Sequence, residues 1–216
     1  MKLQPKIRIE DLSIRYSDGV ESLRDITLDL YAQQINVLFG PAGGGKSTLL
    51  RALNRLNDLV DVAEQNGRIL LDEQDIYDPQ VDVIALRRRI GMVFARPVPL
   101  PMTIRENMHY GPKLAGVRDQ RRLNELAERG LRQAALWQEV KDRLDEPAAS
   151  LSGGQQQRLC LARTLALEPE VILLDEPTSG LDPLSTAKVE ESLQTLKQQF
   201  TVVIVPHSVQ QAARVA

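Results

Sequence analysis

The sequence predicts an α/β fold built on a mostly parallel sheet. Two continuous apolar runs, residues 171–174 and 201–205, are typical of central parallel strands that are buried on both faces. A third apolar run, residues 35–39, leads through a glycine-rich loop into a helical segment at residues 46–56. Because strands that alternate with helices form parallel sheets covered on both sides, these three runs determine the predicted class.

Further β segments lie in the first half of the chain. Apolar and polar residues alternate over residues 6–16, and Asp18 and Gly19 then supply a turn signal. Short apolar runs predict the remaining strands at residues 26–30, 67–71 and 90–94.

The pattern changes at residues 97–144, where a proline-rich run precedes segments rich in Leu, Glu and Arg. This stretch predicts a helical insertion in the α/β core. Further on, Asp182 and Pro183 supply an N-cap and a first-turn proline for a helix that continues to about residue 199. The chain is predicted to be one domain, with a core of residues 1–96 and 160–216 and an insertion of about residues 97–159.

Composition excludes several classes of protein. With 43% hydrophobic and 26% charged residues and a net charge of −2, the chain has an ordinary globular composition and lacks the basic excess of a nucleic-acid binder. No apolar run reaches the roughly 18 residues that span a bilayer. The single cysteine, Cys160, rules out an internal disulfide and is interpreted as a small apolar core residue. We therefore expect a soluble intracellular protein.

A phosphate-binding loop follows the strand at residues 35–39. The spacing of Gly40, Lys46 and Ser47 matches the pattern G-x-x-x-x-G-K-[ST]. Glycines allow backbone amides to point at phosphate, while the lysine places a cation on the β and γ oxygens and the serine hydroxyl ligates Mg²⁺. The predicted nucleotide-binding residues of this loop are Gly40, Pro41, Ala42, Gly43, Gly44, Gly45, Lys46, Ser47 and Thr48.

An acidic pair ends the apolar run at residues 171–174. Asp175 is predicted to hold Mg²⁺ together with Ser47, and Glu176 to accept a proton from the attacking water. His207 directly follows Pro206 after the next apolar strand and is predicted to contact the γ-phosphate. The predicted catalytic residues are therefore Glu176, His207 and Lys46.

A second glycine-opened helix start lies at residues 151–158, far from the first along the chain. Its residues Ser152, Gly153, Gly154 and Gln155 offer backbone amides to an anion. Two such anion-binding segments, with an acidic strand end after the second, predict a nucleotide that is bound between two subunits.

These motifs resemble the ATP-binding subunits of ABC transporters, and the resemblance covers essentially the whole chain. It implies that family's P-loop NTPase fold, with an antiparallel β subdomain at the N-terminus and an inserted helical subdomain. It also implies a head-to-tail homodimer, in which Ser152, Gly153 and Gly154 of one chain close on ATP bound by the other. By the same resemblance, Tyr16 stacks on adenine, and the loop of residues 179–182 pairs across the dimer.

Within this family the chain looks most like the phosphate-import ATPases of bacteria. The segments that carry this likeness are not required by ATP chemistry; they are residues 53–58, 75–79, 91–94, 155–160 and 210–214. The resemblance implies integral-membrane permease subunits that contact the helical insertion, a substrate-binding protein reached through them, and a peripheral place on the cytoplasmic face of the inner membrane. No nucleic-acid partner is expected.

The chain departs from the family pattern in three places. Ala95 stands where the family has a glutamine that ligates Mg²⁺, and Pro206 replaces the usual threonine before His207. The chain also ends at Ala216 within a predicted helix, earlier than the family pattern. Ala95 leaves open a second interpretation, a nucleotide-binding regulatory module with impaired hydrolysis. A soluble ATPase of DNA repair or translation is a third, although such proteins carry long insertions or tandem cassettes.

Restoring the missing oxygen ligand tests the first departure. We expect Ala95→Gln to raise the steady-state ATPase rate by roughly 10–100-fold, the usual effect of a lost supporting contact at a metal site. ATP affinity should change little, because the loop of residues 40–48 is intact. An unchanged hydrolysis rate would show that position 95 does not limit turnover.

Overall fold

The computed structural model describes residues 4–215, which form eight strands and eight α-helices. The strands are β1 (Pro5–Tyr16), β2 (Glu21–Tyr31), β3 (Ile35–Val37), β4 (Val62–Leu71), β5 (Gln74–Asp75), β6 (Ile90–Val93), β7 (Val171–Asp175) and β8 (Thr201–Val205). The helices are α1 (Lys46–Leu53), α2 (Val83–Arg89), α3 (Ile104–Leu114), α4 (Gln120–Gln133), α5 (Trp137–Val140), α6 (Gly153–Leu165), α7 (Pro183–Leu196) and α8 (Val209–Val215).

The strands form two separate four-stranded sheets. The first has the order β2-β1-β4-β5 and is antiparallel, and the second has the order β3-β8-β7-β6 and is parallel. The predicted α/β class, with an antiparallel N-terminal part beside a parallel core, is confirmed.

The parallel sheet is the middle layer of the molecule. Along β7, Val171 and Leu173 pack with β1, β4 and α1, whereas Ile172 and Leu174 pack with α6, α7 and the helices that follow β6. Alternate side chains thus enter two different cores, which is why β7 and β8 are apolar throughout.

Several predicted boundaries were wrong by a few residues. The helix predicted over residues 46–56 ends at Leu53, because Arg55 takes a left-handed backbone conformation at φ 59° and a 3-10 turn follows at Leu56–Leu59. The strand predicted to begin at residue 67 begins at Val62, where polar side chains follow the edge of the antiparallel sheet. Likewise β2 begins earlier than predicted, and β3, β6 and α7 end earlier.

Helices α3, α4 and α5 lie between β6 and α6, where the helical insertion was predicted. A reciprocal capping box between Thr103 and Glu106 begins α3, and Asp119 caps α4. The predicted boundary of the insertion at residue 159 falls inside α6, so the subdomain limits remain a prediction.

Cys160 is buried in the core around α6, as expected, and burial raises the pKa of its thiol. Within residues 4–215, no helix has both the length and the apolar character needed to cross a membrane.

A network of four charged residues ties the two sheets together. Lys6 on β1 contacts Asp72 and Glu170 at 2.8 and 2.6 Å, and Arg89 contacts the same two carboxylates at 2.6 and 2.5 Å. The hydrogen bond from Arg89, opposed by desolvation and reinforced by the bond from Lys6, lowers the pKa of Glu170 from 4.5 to about 2. The network therefore joins β1 to the segment that leads into β7.

This lowered pKa predicts an acid-sensitive contribution to stability. Because the pKa of Glu170 is lower in the folded than in the unfolded chain, its contribution is complete above about pH 4.5 and is lost as the pH falls towards 2. We expect Glu170→Gln to lower the free energy of unfolding at pH 7 by on the order of 1 kcal/mol, allowing for the partial exposure of the carboxylate. Urea unfolding at pH 7, 4 and 3 measures this difference, which should shrink with acidification.

The matched control is Glu73→Gln, because Glu73 pairs with Arg8 but is largely exposed. Its effect should stay below about 0.5 kcal/mol. A Glu170→Gln effect of equal size at all three pH values would contradict the network's role.

Candidate functional site

The predicted functional segments meet at one edge of the parallel sheet. Strands β3, β8, β7 and β6 are parallel neighbours in that order, so their carboxyl ends lie side by side. Ligands of open parallel sheets bind beyond these ends. At or just beyond these four strand ends lie, in spatial order, the loop of residues 40–48, His207, the pair Asp175 and Glu176, and Ala95.

The conformation of the glycine loop explains its composition. Gly43 and Gly45 have φ values of 73° and 75°, which side chains rarely adopt. A Cβ on Gly45 would also overlap the carbonyl oxygen of Ser22 and the side chain of Leu23. Gly45 is therefore required twice, by its backbone angle and by the close approach of the β2 segment to the start of α1.

Lys46 is held across this loop. Its Nζ donates hydrogen bonds to the carbonyl oxygens of Gly40 and Pro41 at 2.9 and 2.7 Å. Both acceptors are neutral, and a cation forms stronger hydrogen bonds with anionic oxygens. The ammonium group thus lies at the loop, on two neutral acceptors.

The loop and Glu176 line the same cleft, of about 310 Å³. Two residues that the sequence reasoning missed, Ser22 and Arg51, also line it; Arg51 donates from Nε to the carbonyl oxygen of Ser47 at 3.2 Å. The spacing of Ser47 and Arg51, one helical turn apart on α1, could have indicated this proximity. The full lining is Ser22, Ala42, Gly43, Gly44, Gly45, Lys46, Ser47, Thr48, Arg51 and Glu176.

Tyr16 lies beside the beginning of α1. Its hydroxyl shares a hydrogen bond with the Thr48 hydroxyl at 3.0 Å, and Ser22 donates to the same Thr48 oxygen at 2.8 Å. Tyr16 is partly buried and does not itself line the cleft. The chain therefore places this aromatic ring next to the phosphate loop, at the end of β1.

Glu176 has an unusual backbone. It follows β7 with φ 47°, in the left-handed region, and its N–H donates to the carbonyl oxygen of Val205 on β8 at 2.9 Å. A non-glycine residue in this region stores strain, and such strain is concentrated at functional sites. The preceding Asp175 is still part of β7 and half-buried, so the turn at Glu176 is what brings a carboxylate into the cleft.

His207 is exposed after β8, and its backbone is fixed by a residue that the sequence reasoning did not assign. The buried Gln211 accepts a hydrogen bond from the His207 N–H at 2.9 Å and donates to the Thr178 hydroxyl at 2.8 Å. One side chain thus joins the segments after β7 and β8. Pro206 lies directly after β8, so its missing N–H interrupts no strand pair.

The second glycine motif begins α6. Ser152 caps the helix and exchanges hydrogen bonds with Gln155, at 3.0 Å to the Ser152 N–H and 3.4 Å to its hydroxyl. Gly153 is exposed with open space around it, whereas Gly154 is buried and a Cβ there would overlap the Ser185 side chain. Among the described residues, the lining of the cleft beside Lys46 does not include this motif.

The predicted magnesium ligands are oxygen donors, which suit a hard cation. Ser47 lines the cleft, and Asp175 directly precedes Glu176, which also lines it. Within residues 4–215, no three His, Cys, Asp or Glu side chains cluster as a metal site. A protein site of this kind needs few of its own ligands, because Mg²⁺ keeps waters and takes substrate phosphate oxygens.

A glycine loop that wraps a lysine between a parallel strand and a helix defines a P-loop nucleotide-binding protein. Comparison with known proteins then identifies the particular group. Residues 23–179 match the protein family described as ABC transporter. The chain belongs to this family and is an ABC-type ATPase subunit, so the resemblance read from its motifs is confirmed.

The chain is also similar to individual proteins. It is 55% identical over 213 residues to the phosphate import ATP-binding protein PstB of Pseudoalteromonas translucida (strain TAC 125), covering 99% of this chain and 77% of that protein. Among solved structures, it superposes on CbiO1 of Clostridium perfringens, part of the ABC transporter complex CbiONQ, with a TM-score of 0.80 and 27% identity, over 94% of this chain and 79% of that one. A bacterial Atm1-family ABC exporter with ATP bound gives a TM-score of 0.80 at 28% identity, over 97% of this chain and 36% of that one. These comparisons give no support to the regulatory or DNA-repair alternatives.

The two glycines of the second motif should respond differently to alanine. We expect Gly154→Ala to lower the free energy of unfolding by about 1–3 kcal/mol, because the new methyl group collides with Ser185. Gly153→Ala, the matched control, meets open space and should keep or slightly raise stability, since alanine is the better helix former. Urea unfolding of both variants measures the difference; equal effects would contradict the steric assignment.

Proposed function

We propose that this chain is the ATP-hydrolysing subunit of an importer of inorganic phosphate. The observation that supports phosphate as the substrate is the 55% identity, over 99% of the chain, to a phosphate import ATP-binding protein. The parallel-sheet edge supports the chemistry, because it brings the phosphate loop and a carboxylate into one cleft.

Within one chain, the cleft binds and orients the triphosphate. The amides of the glycine loop and the ammonium of Lys46 hold the phosphate oxygens, and the Tyr16 ring stacks on adenine. Ser47 and Asp175 would hold Mg²⁺, which when bound neutralises charge on the β and γ oxygens.

Glu176 then orients the attacking water and takes its proton, and His207 contacts the γ-phosphate. The position of Glu176 in the cleft, beyond the end of β7, supports its role as the general base.

A second copy of the chain completes the site. The exposed Gly153 and its neighbours Ser152 and Gly154 open a helix that, among the described residues, does not line the cleft of its own chain. In a head-to-tail homodimer the first amides of this helix and Gln155 close on ATP held by the partner's loop. Closure would act on integral-membrane permease subunits that receive phosphate from a substrate-binding protein, with the ATPase on the cytoplasmic face of the membrane.

Ala95 lies within this scheme at the end of β6. Gln157 on α6 donates to the carbonyl oxygen of Phe94 at 2.9 Å, so the segment is held to the helix of the second motif although residue 95 has no oxygen in its side chain. With Mg²⁺ bound, Ala95 would supply no oxygen to it, so ATP would still bind while hydrolysis would be slowed.

The decisive experiment is transport by a reconstituted complex. The chain, joined with its permease and binding protein in vesicles, should take up radioactive phosphate when ATP and Mg²⁺ are supplied. Glu176→Gln should keep ATP binding but reduce ATPase activity and uptake by at least about 100-fold, because the general base is lost. An isosteric amide is chosen so that folding is preserved.

Sulfate and molybdate uptake by the same vesicles serve as substrate controls. Uptake of either anion in preference to phosphate would overturn the substrate assignment. Full ATPase activity in Glu176→Gln would instead overturn the role of Glu176.

A further inference from the structure

One carboxylate, that of Glu139 on α5, joins three helices around the start of α6. Gln155 donates to its Oε2 at 2.9 Å, and Arg158 donates to both carboxylate oxygens at 2.8 and 3.1 Å. Lys188 on α7 donates to Oε1 at 2.6 Å. The carboxylate thus contacts Gln155 in the second glycine motif and Arg158 further along α6. It also contacts Lys188 on α7, the helix that follows the loop of residues 179–182.

The three charges of this cluster differ in burial, with Glu139 27% and Lys188 34% exposed. Arg158 is only 2% exposed, and its Nη1 also donates to the Ala135 carbonyl oxygen. The hydrogen bond from Arg158, opposed by desolvation and aided by Lys188 and Gln155, lowers the pKa of Glu139 to about 2. If Glu139 moved away, the buried charge of Arg158 would lose its counter-charge, which is costly. This cost keeps the two side chains in one defined arrangement.

A second contact joins the same two helices. Gly154 on α6 lies so close to Ser185 on α7 that a Cβ would not fit between them. Ser185 is in turn fixed to Asp182 through its N–H at 2.9 Å and its hydroxyl at 2.5 Å. Since Asp182 ends the loop of residues 179–182, the start of α6 packs against the residue that holds this loop, while the Glu139 cluster joins the same helix start to α7.

We propose that Glu139 is a positioning residue that locks the second glycine motif to α7, so that residues 152–155 and 179–182 move as one body when two chains close on ATP. The proposal rests on the dimeric function given above and extends it. Glu139 does not line the cleft beside Lys46, so it acts on the partner's nucleotide through Gln155 and the α6 amides and not on its own chain's nucleotide.

The test separates nucleotide binding in one chain from closure of two. In a Glu176→Gln background, ATP affinity is measured by calorimetry at protein concentrations below dimerisation, and dimerisation is followed by light scattering as ATP is raised. Lys188→Met removes only the α7 contact, from a side chain that is 34% exposed. We expect it to raise the ATP concentration for half-maximal dimerisation by about 5-fold, the lower end of typical coupling between sites, with ATP affinity of the monomer unchanged.

Glu139→Gln should raise the same concentration by roughly 10-fold or more, within the usual range of coupling between sites. Lys188→Arg should restore the parent value, because it keeps a cation at the carboxylate. Lys197→Met, at the other end of α7, is the matched control and should behave as the parent. Thermal unfolding checks that each variant is folded, and if Glu139→Gln is not, Lys188→Met decides alone.

Dimerisation of Lys188→Met at the parent's ATP concentration would overturn the proposal, as would an equal loss of ATP affinity in the monomer. A Glu176→Gln parent that stays monomeric at saturating ATP would overturn the proposed dimeric function itself, and this inference with it. The two failures are distinguishable, because failure of the dimeric function is seen in the Glu176→Gln parent itself, without any substitution in the Glu139 cluster.

Discussion

Parallel pairing of four short strands fixes where the residues of the nucleotide cleft lie. Because β3, β8, β7 and β6 are in parallel register, the segments after them leave the sheet at one edge, although they are far apart in the sequence. The pairing is stabilised by two cores, one on each face of the sheet, which share the alternating side chains of β7 and β8. A polar residue within these strands would cost one core its packing and shift the strand end that carries the site.

The sequence was sufficient for the parallel strands and the phosphate loop, because both depend on local patterns. Continuous apolar runs predicted β7 and β8, and the glycine spacing placed Lys46 at the start of α1. Boundaries set by backbone angles were missed, as at Arg55, where a left-handed residue ends α1 three residues early. Long-range contacts were missed for a related reason. The hydrogen bonds of Gln211 and Glu139 join segments that no periodicity relates.

At the end of β7, hydrogen bonds to neighbouring segments offset the backbone strain of Glu176. Glu176 takes a left-handed conformation that an ordinary residue adopts at a cost of about 1–2 kcal/mol. The cost is offset locally, since its N–H continues the pairing of β7 with β8. Gln211 then binds Thr178 a short distance further on, so the turn is held on both sides. The sheet therefore positions the carboxylate, and within residues 4–215 no hydrogen bond or ion pair of the Glu176 side chain holds it.

The two glycines that open α6 differ in their surroundings, and each surrounding places a different requirement on the helix start. Gly154 is needed within its own chain, because only hydrogen fits against Ser185. A Cβ on Gly153 would have open space around it within residues 4–215, so these residues do not exclude a side chain there. A helix N-terminus that contacts α7 and Glu139, yet has open space around Gly153, is suited to bind an anion. Close packing and exposure are thus separate requirements. Gly154 meets the first, and the adjacent Gly153 meets the second.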